Sequence, residues 1–268
     1  MEVRNPLKKY WEMLKVQIKL DTSYAAWYWA GTFAIIVKLC TLYYFWTAVY
    51  ENKETVGALS LSNMLTYMII ALLLEQYVSG VGTNLARMIK QGDIALELMK
   101  PYHLLDKLVA MDIGQKISNS MRTTFPMLLF AVWFVGIQLP QSMESFLLFT
   151  VSVVLGILIG TQLDLVIGIL AFWTINIWGL RLLRESVLQF CSGALVPLSL
   201  YPQWFQEISM FLPFQSMVYI PVSIYTGSIS GTQAYTAIVT QFIWLIFITV
   251  LVRFLWTLAI RKITIFGG

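Results

Sequence analysis

The chain has 268 residues, 58% hydrophobic and 12% charged, with a formal net charge of +4 and a mean hydropathy of +0.72. A soluble domain carries about 25% charged residues, so this composition excludes a soluble monomer and points to an all-α integral membrane protein. No basic tail accompanies the positive charge, which is read first as a topology signal and not as a nucleic-acid surface.

In chain order, residues 6–20 set Leu7, Tyr10, Trp11, Leu14 and Ile18 at helical spacing against Lys8, Lys9, Glu12, Lys15 and Lys19. That pattern predicts an amphipathic helix lying on the membrane surface. The apolar run from Tyr24 to Tyr50 is too long for the core of a signal peptide and no small-residue cleavage site follows it, so it is expected to remain as a first span. Spans are predicted near 24–50, 62–82, 120–139, 145–177, 183–201 and 235–259, since about 20 apolar residues cross the hydrocarbon core.

The run at 145–177 is long for one crossing and short for two, so charge decides. With one crossing, the inside face receives Arg4, Lys8, Lys9, Lys15, Lys19, Arg87, Lys90, Lys100, Lys107, Lys116, Arg122, Arg181, Arg184, Arg253, Arg261 and Lys262. Only Lys53 falls outside, and Lys38 lies within a span. Basic residues gather on the cytoplasmic side, so both termini are expected there; a second crossing would invert everything that follows. The fifth span is expected to begin near Leu180, with Arg181 and Arg184 reaching back to the cytoplasmic interface. Residues 202–232 are too interrupted by Pro202, Pro213 and Pro221 for a span and too apolar for a solvated loop. A re-entrant pair of short helices, packed where protein or a watery cavity satisfies the backbone, fits them.

Catalytic chemistry finds little footing. His103 is the only histidine, Cys40 and Cys191 fall inside spans, and no Gly is followed by Lys as a phosphate-binding loop requires. No metal or cofactor is therefore expected on this chain. Three ionisable residues, Lys38, Glu75 and Asp164, are placed at membrane depth, where a charge is costly. Lys38 and Glu75 lie at similar depth and could clamp two helices or take part in transport. Asp164, with no basic partner at its own depth in neighbouring sequence, is the better candidate for a proton relay or else lies near the cytoplasmic interface.

Gly156, Gly160, Asp164 and Gly168 recur every four residues, giving the fourth span a shallow face for close helix packing, or a groove beside Thr161 and Gln162. Between spans two and three, Leu85, Ile89, Ile94, Leu98 and Met99 alternate with Arg87, Lys90, Asp93 and Glu97 before Pro101. Residues 84–100 thus form an amphipathic cytoplasmic helix, bent at Gly92, that either rests on the interface or docks a partner.

This order of elements, over essentially the whole of residues 1–268, resembles the membrane subunits of ABC exporters of the type-2 permease family. The stretch from Ile89 through Gly92 to Pro101 is similar to the family's first cytoplasmic loop. Ser192, Gly193, Pro197, Pro202, Trp204, Leu212, Pro213, Phe214, Pro221 and Gly227 are similar to its region from span five onward, and the terminal Ile265–Gly268 to endings in one bacterial branch.

The resemblance implies a single transmembrane domain in a bacterial cytoplasmic membrane, moving a drug, antimicrobial peptide or lipid outward. It implies a second permease copy or paralogue and cytoplasmic ABC ATPases that carry ATP and Mg. Ile89, Gly92, Asp93, Ile94 and Glu97 would couple to the ATPase, and Gly193, Pro197, Pro202, Trp204, Pro213 and Phe214 would shape the re-entrant gate. Tyr67, Phe190, Leu195 and Val196 would line the path. A proton-coupled carrier using Lys38, Glu75 and Asp164 is the alternative, although the internal repeats usual for such carriers are not visible between the halves.

Overall fold

The structure is a computed structural model that describes residues 6–21, 25–57, 59–78, 80–140, 142–174 and 178–262. Arg4 and the ending Ile265–Gly268 lie outside the described residues. Twelve α-helices are described: α1 Pro6–Asp21, α2 Ala25–Val49, α3 Leu61–Glu75, α4 Val81–Gln91, α5 Ile94–Leu98, α6 Leu104–Asn119, α7 Phe125–Phe134, α8 Met143–Leu170, α9 Trp178–Cys191, α10 Gln203–Met210, α11 Tyr219–Tyr225 and α12 Thr232–Ile260. A two-residue antiparallel hairpin, Thr55–Val56 with Leu59–Ser60, joins α2 to α3.

Among the described residues, three helices are long and apolar enough to cross a membrane: α2 over Gly31–Val49, the 28-residue α8 and the 29-residue α12. Of the run at 145–177, the part up to Leu170 lies in one continuous helix, α8, which ends there. Its start is set by Ser142, whose hydroxyl accepts from Ser145 N–H, and by Glu144 in the first turn, both favourable at a helix N-terminus.

α8 is the central element. Its small-residue face is buried from Ser152 to Ile169, whereas α12, on one side of it, turns Val239, Phe242, Ile243, Phe247, Val250 and Phe254 outward. Exposed apolar side chains in such number are what a lipid-facing surface requires. α3 is buried throughout from Met64 to Leu74 and packs against α2 and α11. A second core of Leu39, Ile69, Leu72, Leu73, Met127 and Ala131 binds α2, α3 and α7 together.

Contacts between helix ends give the molecule two distinct poles. Tyr235 at the start of α12 donates to Glu144 at the start of α8, 2.9 Å away. At the opposite pole Lys262 lies over the Trp173 ring, 5.1 Å from its centroid, and Arg253 pairs with Asp106. α1 lies along α6 at this second pole.

Several sequence expectations are revised. Span three was placed at 120–139, but helix begins at Leu104 and runs through α6, a π-helical turn at Ser120–Thr124 and α7. Pro126, which cannot donate to the carbonyl one turn back, explains why the wider turn sits there. Span five, expected over 183–201, is the 14-residue α9, which stops at Cys191. Gly193, with φ +78°, and Pro197 then carry the chain in an irregular path to a short 3-10 turn at Leu198–Leu200. Residues 202–232 do form short helices, α10 and α11, separated by a 3-10 turn at Pro213–Ser216.

Candidate functional site

The segment from Val78 to Gly82 crosses the small-residue face of α8, and glycines permit it. A Cβ on Gly160 would stand 2.9 Å from Val78 O, one on Gly168 2.8 Å from Gly82 O, and one on Gly82 only 2.0 Å from Asp164 O. From Gly160 to Gly168 the four-residue repeat in α8 is therefore a seat for the start of α4, whereas Gly156 lies against the backbone of Ser216 and Met217.

Gly80 at the N-cap of α4 has no side chain to cap the helix, so its free N–H groups need an acceptor from elsewhere. Asp164 supplies it: Oδ2 accepts from Gly80 N–H at 2.9 Å and from Gly82 N–H at 2.7 Å. The other oxygen, Oδ1, pairs with Arg184 Nη1 of α9 at 3.2 Å, and Arg184 Nη2 donates to Val78 O at 2.6 Å. Both side chains are 6% exposed. The expectation that Asp164 lacks a basic partner is thus corrected. Arg184, expected at the interface, is buried instead, because α9 is short and leans on the 78–82 segment.

A second buried pair adjoins the first. Lys116 Nζ lies 2.6 Å from Asp112 Oδ2 one turn back on α6 and donates to Thr161 Oγ1 at 2.7 Å. Thr161 in turn donates to Asp112 at 2.7 Å. Asp112 also faces α4, since its Oδ1 is 2.8 Å from where a Gly80 Cβ would be. Sequence reasoning missed Asp112 and counted Lys116 as a loop residue. The signal available was their spacing of four on one helix.

Lys38 and Glu75 meet at 2.6 Å. Glu75, Arg184, Glu185, Gln189, Ser192 and Val218 line a cleft of about 260 Å³ beside the Asp164 cluster. Tyr67, buried on α3, donates its hydroxyl to Gly193 O at 2.8 Å, so a path candidate and a gate candidate meet directly. Pro197 and Pro213 are buried, Phe214 and Val196 pack on the main core, and Phe190, Leu195, Pro202 and Trp204 are exposed. The gate and path candidates therefore do not form one contiguous lining.

The amphipathic segment is two helices. Gly92 ends α4 in the left-handed conformation at φ +82°, leaving Asp93 exposed and Ile89 half-buried. Beyond it, Ile94 anchors α5 in the core while Leu96 and Met99 project, 64% and 80% exposed. Glu97 fixes the far end: it accepts from Lys100 at 2.5 Å, Lys107 at 2.6 Å and Tyr102 at 2.6 Å. Partial burial opposes its ionisation, but these three donors outweigh that and hold the carboxyl down to about 2.

α1 is joined to the same place. Lys9 Nζ donates to Pro101 O at 2.5 Å, and the Tyr10 hydroxyl accepts from His103 N–H at 3.2 Å. His103, the lone histidine, serves here through its backbone.

Long apolar helices packed around a central helix, with a buried ionic clamp tying that helix to a projecting helix pair, mark an all-α membrane protein. A family model described as ABC-2 family transporter protein matches residues 36–267, and the chain belongs to that family. It is an ABC-type permease subunit, the membrane component of a transporter and not its catalyst, of a kind that works with ABC ATPases. No curated protein matches the chain.

Proposed function

We propose that the chain is the membrane-spanning subunit of an ATP-driven exporter, with six crossings and both termini on the cytoplasmic side of a bacterial inner membrane. Two such subunits, identical or paralogous, pair with two cytoplasmic ATPases that hold ATP and Mg. α4 and α5 receive the ATPase movement, with Leu96 and Met99 as the apolar contact and Glu97 fixing the lever's far end. The substrate is hydrophobic or amphipathic, in the order drug, antimicrobial peptide, lipid.

One observation carries this reading. The start of α4 is hydrogen-bonded to Asp164 of α8, which is paired with Arg184 of α9, so displacement of α4 must move or break a clamp between two transmembrane elements. ATP binding acts through its different affinity for the two arrangements of that clamp. A proton-coupled carrier would need Glu75 or Asp164 free to take up a proton, and each faces a cation.

The test is affinity purification of the tagged chain in mild detergent, followed by mass spectrometry and an ATP hydrolysis assay. A roughly stoichiometric ATPase with activity is expected. Its repeated absence from folded protein would sink the exporter reading.

A further inference from the structure

A groove of about 700 Å³ opens between α1 and α6. Its two ends differ in chemistry. The helices run parallel, since Tyr10 meets His103 and a Cβ on Gly114 would lie 2.7 Å from Leu14 O. Lys8, Lys9 and Lys107 therefore cluster at one end, and Met13, Val16 and Met111 line the other. Residues 8 and 16 are separated by about 12 Å along α1.

Among the described residues, the basic end carries charge that no carboxylate of its own matches. Lys8 is exposed and has no partner among the described residues. Lys9 is bonded to a neutral carbonyl, that of Pro101. Lys107 shares the single carboxylate of Glu97 with Lys100. Glu12, the groove's one acid, is already paired with Lys15 at 3.0 Å. Beside the apolar end, Val16 and Leu20 are 54% and 52% exposed on the same edge of α1. A soluble anion would use only the first half of this groove and leave the second wet.

We propose that the groove binds one anionic glycerophospholipid from the leaflet on which α1 lies. The phosphodiester sits against Lys8 and Lys9, with Lys107 behind them, and an acyl chain runs along Met13, Val16 and Met111. Charge complementarity at one end and apolar surface at the other select an anionic amphiphile, and each lysine at such a surface contributes about fivefold in affinity. The lipid pins α1 to α6 and, through Lys9 and Tyr10, steadies the 101–103 segment that follows α5. This site is independent of whether an ATPase docks on α5.

The experiment is native mass spectrometry of the full chain in detergent, titrated with phosphatidylglycerol and phosphatidylcholine together. One phosphatidylglycerol is expected to be retained with at least tenfold preference. Lys8→Gln should cut that retention about fivefold without moving the melting temperature of lipid-free protein, Lys8→Gln with Lys9→Gln should cut it at least tenfold, and Val16→Asp should lower it from the tail end. Where the double variant does not fold, Lys8→Gln alone carries the comparison, as this exposed side chain has no partner among the described residues. Equal retention of the two lipids, or full retention by the lysine variants, overturns the proposal. So does equal competition by the deacylated headgroup glycerophosphoglycerol, which would mark a bare anion site. Release of a co-purified protein by these variants, with lipid retention unchanged, would assign the groove to a protein partner instead.

Discussion

Asp164 is asked to satisfy two helix N–H groups and a guanidinium at once, and its burial makes each partner depend on the others. Asp164→Asn keeps an acceptor for Gly80 or Gly82 but leaves Arg184 charged and unpaired, which costs about 3–5 kcal/mol at a buried site. A clear drop in the detergent melting temperature is expected, with partial recovery when Arg184→Met is added. Additive losses would show that the pair does not act as a unit. Glu97 makes a different prediction, because its carboxyl is depressed. The stability its ionised form contributes is present above the ordinary value of 4.5 and is lost as pH falls toward about 2. Melting temperatures of the wild type should therefore fall more steeply across that window than those of Glu97→Gln; parallel curves would refute the assignment. At this scale the sequence was partly legible. The depth of Lys38 and Glu75 could be counted along two spans, whereas the Asp164–Arg184 pair depends on how far α9 leans, which no local pattern encodes.

Among the elements, α4 and α8 meet backbone to backbone, and two glycines of α4 separate packing from conformation. A Cβ on Gly82 would collide with Asp164 O, so Gly82→Ala must lift α4 from α8. Under the exporter reading, the complex should keep ATP hydrolysis yet lose at least tenfold in transport. Unchanged coupling would remove α4 from the lever. A Cβ on Gly92 would meet nothing within 4 Å, so Gly92→Ala bears only the left-handed backbone cost of about 1 kcal/mol. Hydrogen exchange should quicken in α5 while α4 stays protected; equal loosening of both would contradict the view of Gly92 as an isolated hinge. The bend at Gly92 and the small-residue face of α8 were readable because glycine spacing carries them directly. The early start of α6 was not readable, since Asp106, Lys107, Asp112 and Lys116 look solvated until Arg253 and Thr161 are seen to receive three of them.

For the whole molecule, the arrangement of charge can be set against the arrangement of helix ends. The starts of α8 and α12 share one pole through Glu144 and Tyr235. α1, α5, the start of α6 and the end of α12 share the other, through Lys9, Tyr10, Lys107 and Arg253. Lys53, exposed between α2 and α3, belongs with the first pole, because α3 runs from there toward Val78 and the Asp164 cluster. Under the topology proposed above, in which lysine and arginine gather inside, the second pole faces the cytoplasm. In a background with Cys40→Ser and Cys191→Ser, a membrane-impermeant maleimide should label Lys53→Cys and Met143→Cys in intact cells, and Lys90→Cys only after lysis. α3 and α7 are each shorter than a crossing needs, so labelling decides whether they complete the spans with their irregular neighbours. Labelling at residue 53 with protection at 143 would mean that the chain between them does not return to the outer face. The paired ends of α8 and α12 would then lie inside, and the single long crossing of α8 could no longer account for the distribution of lysine and arginine.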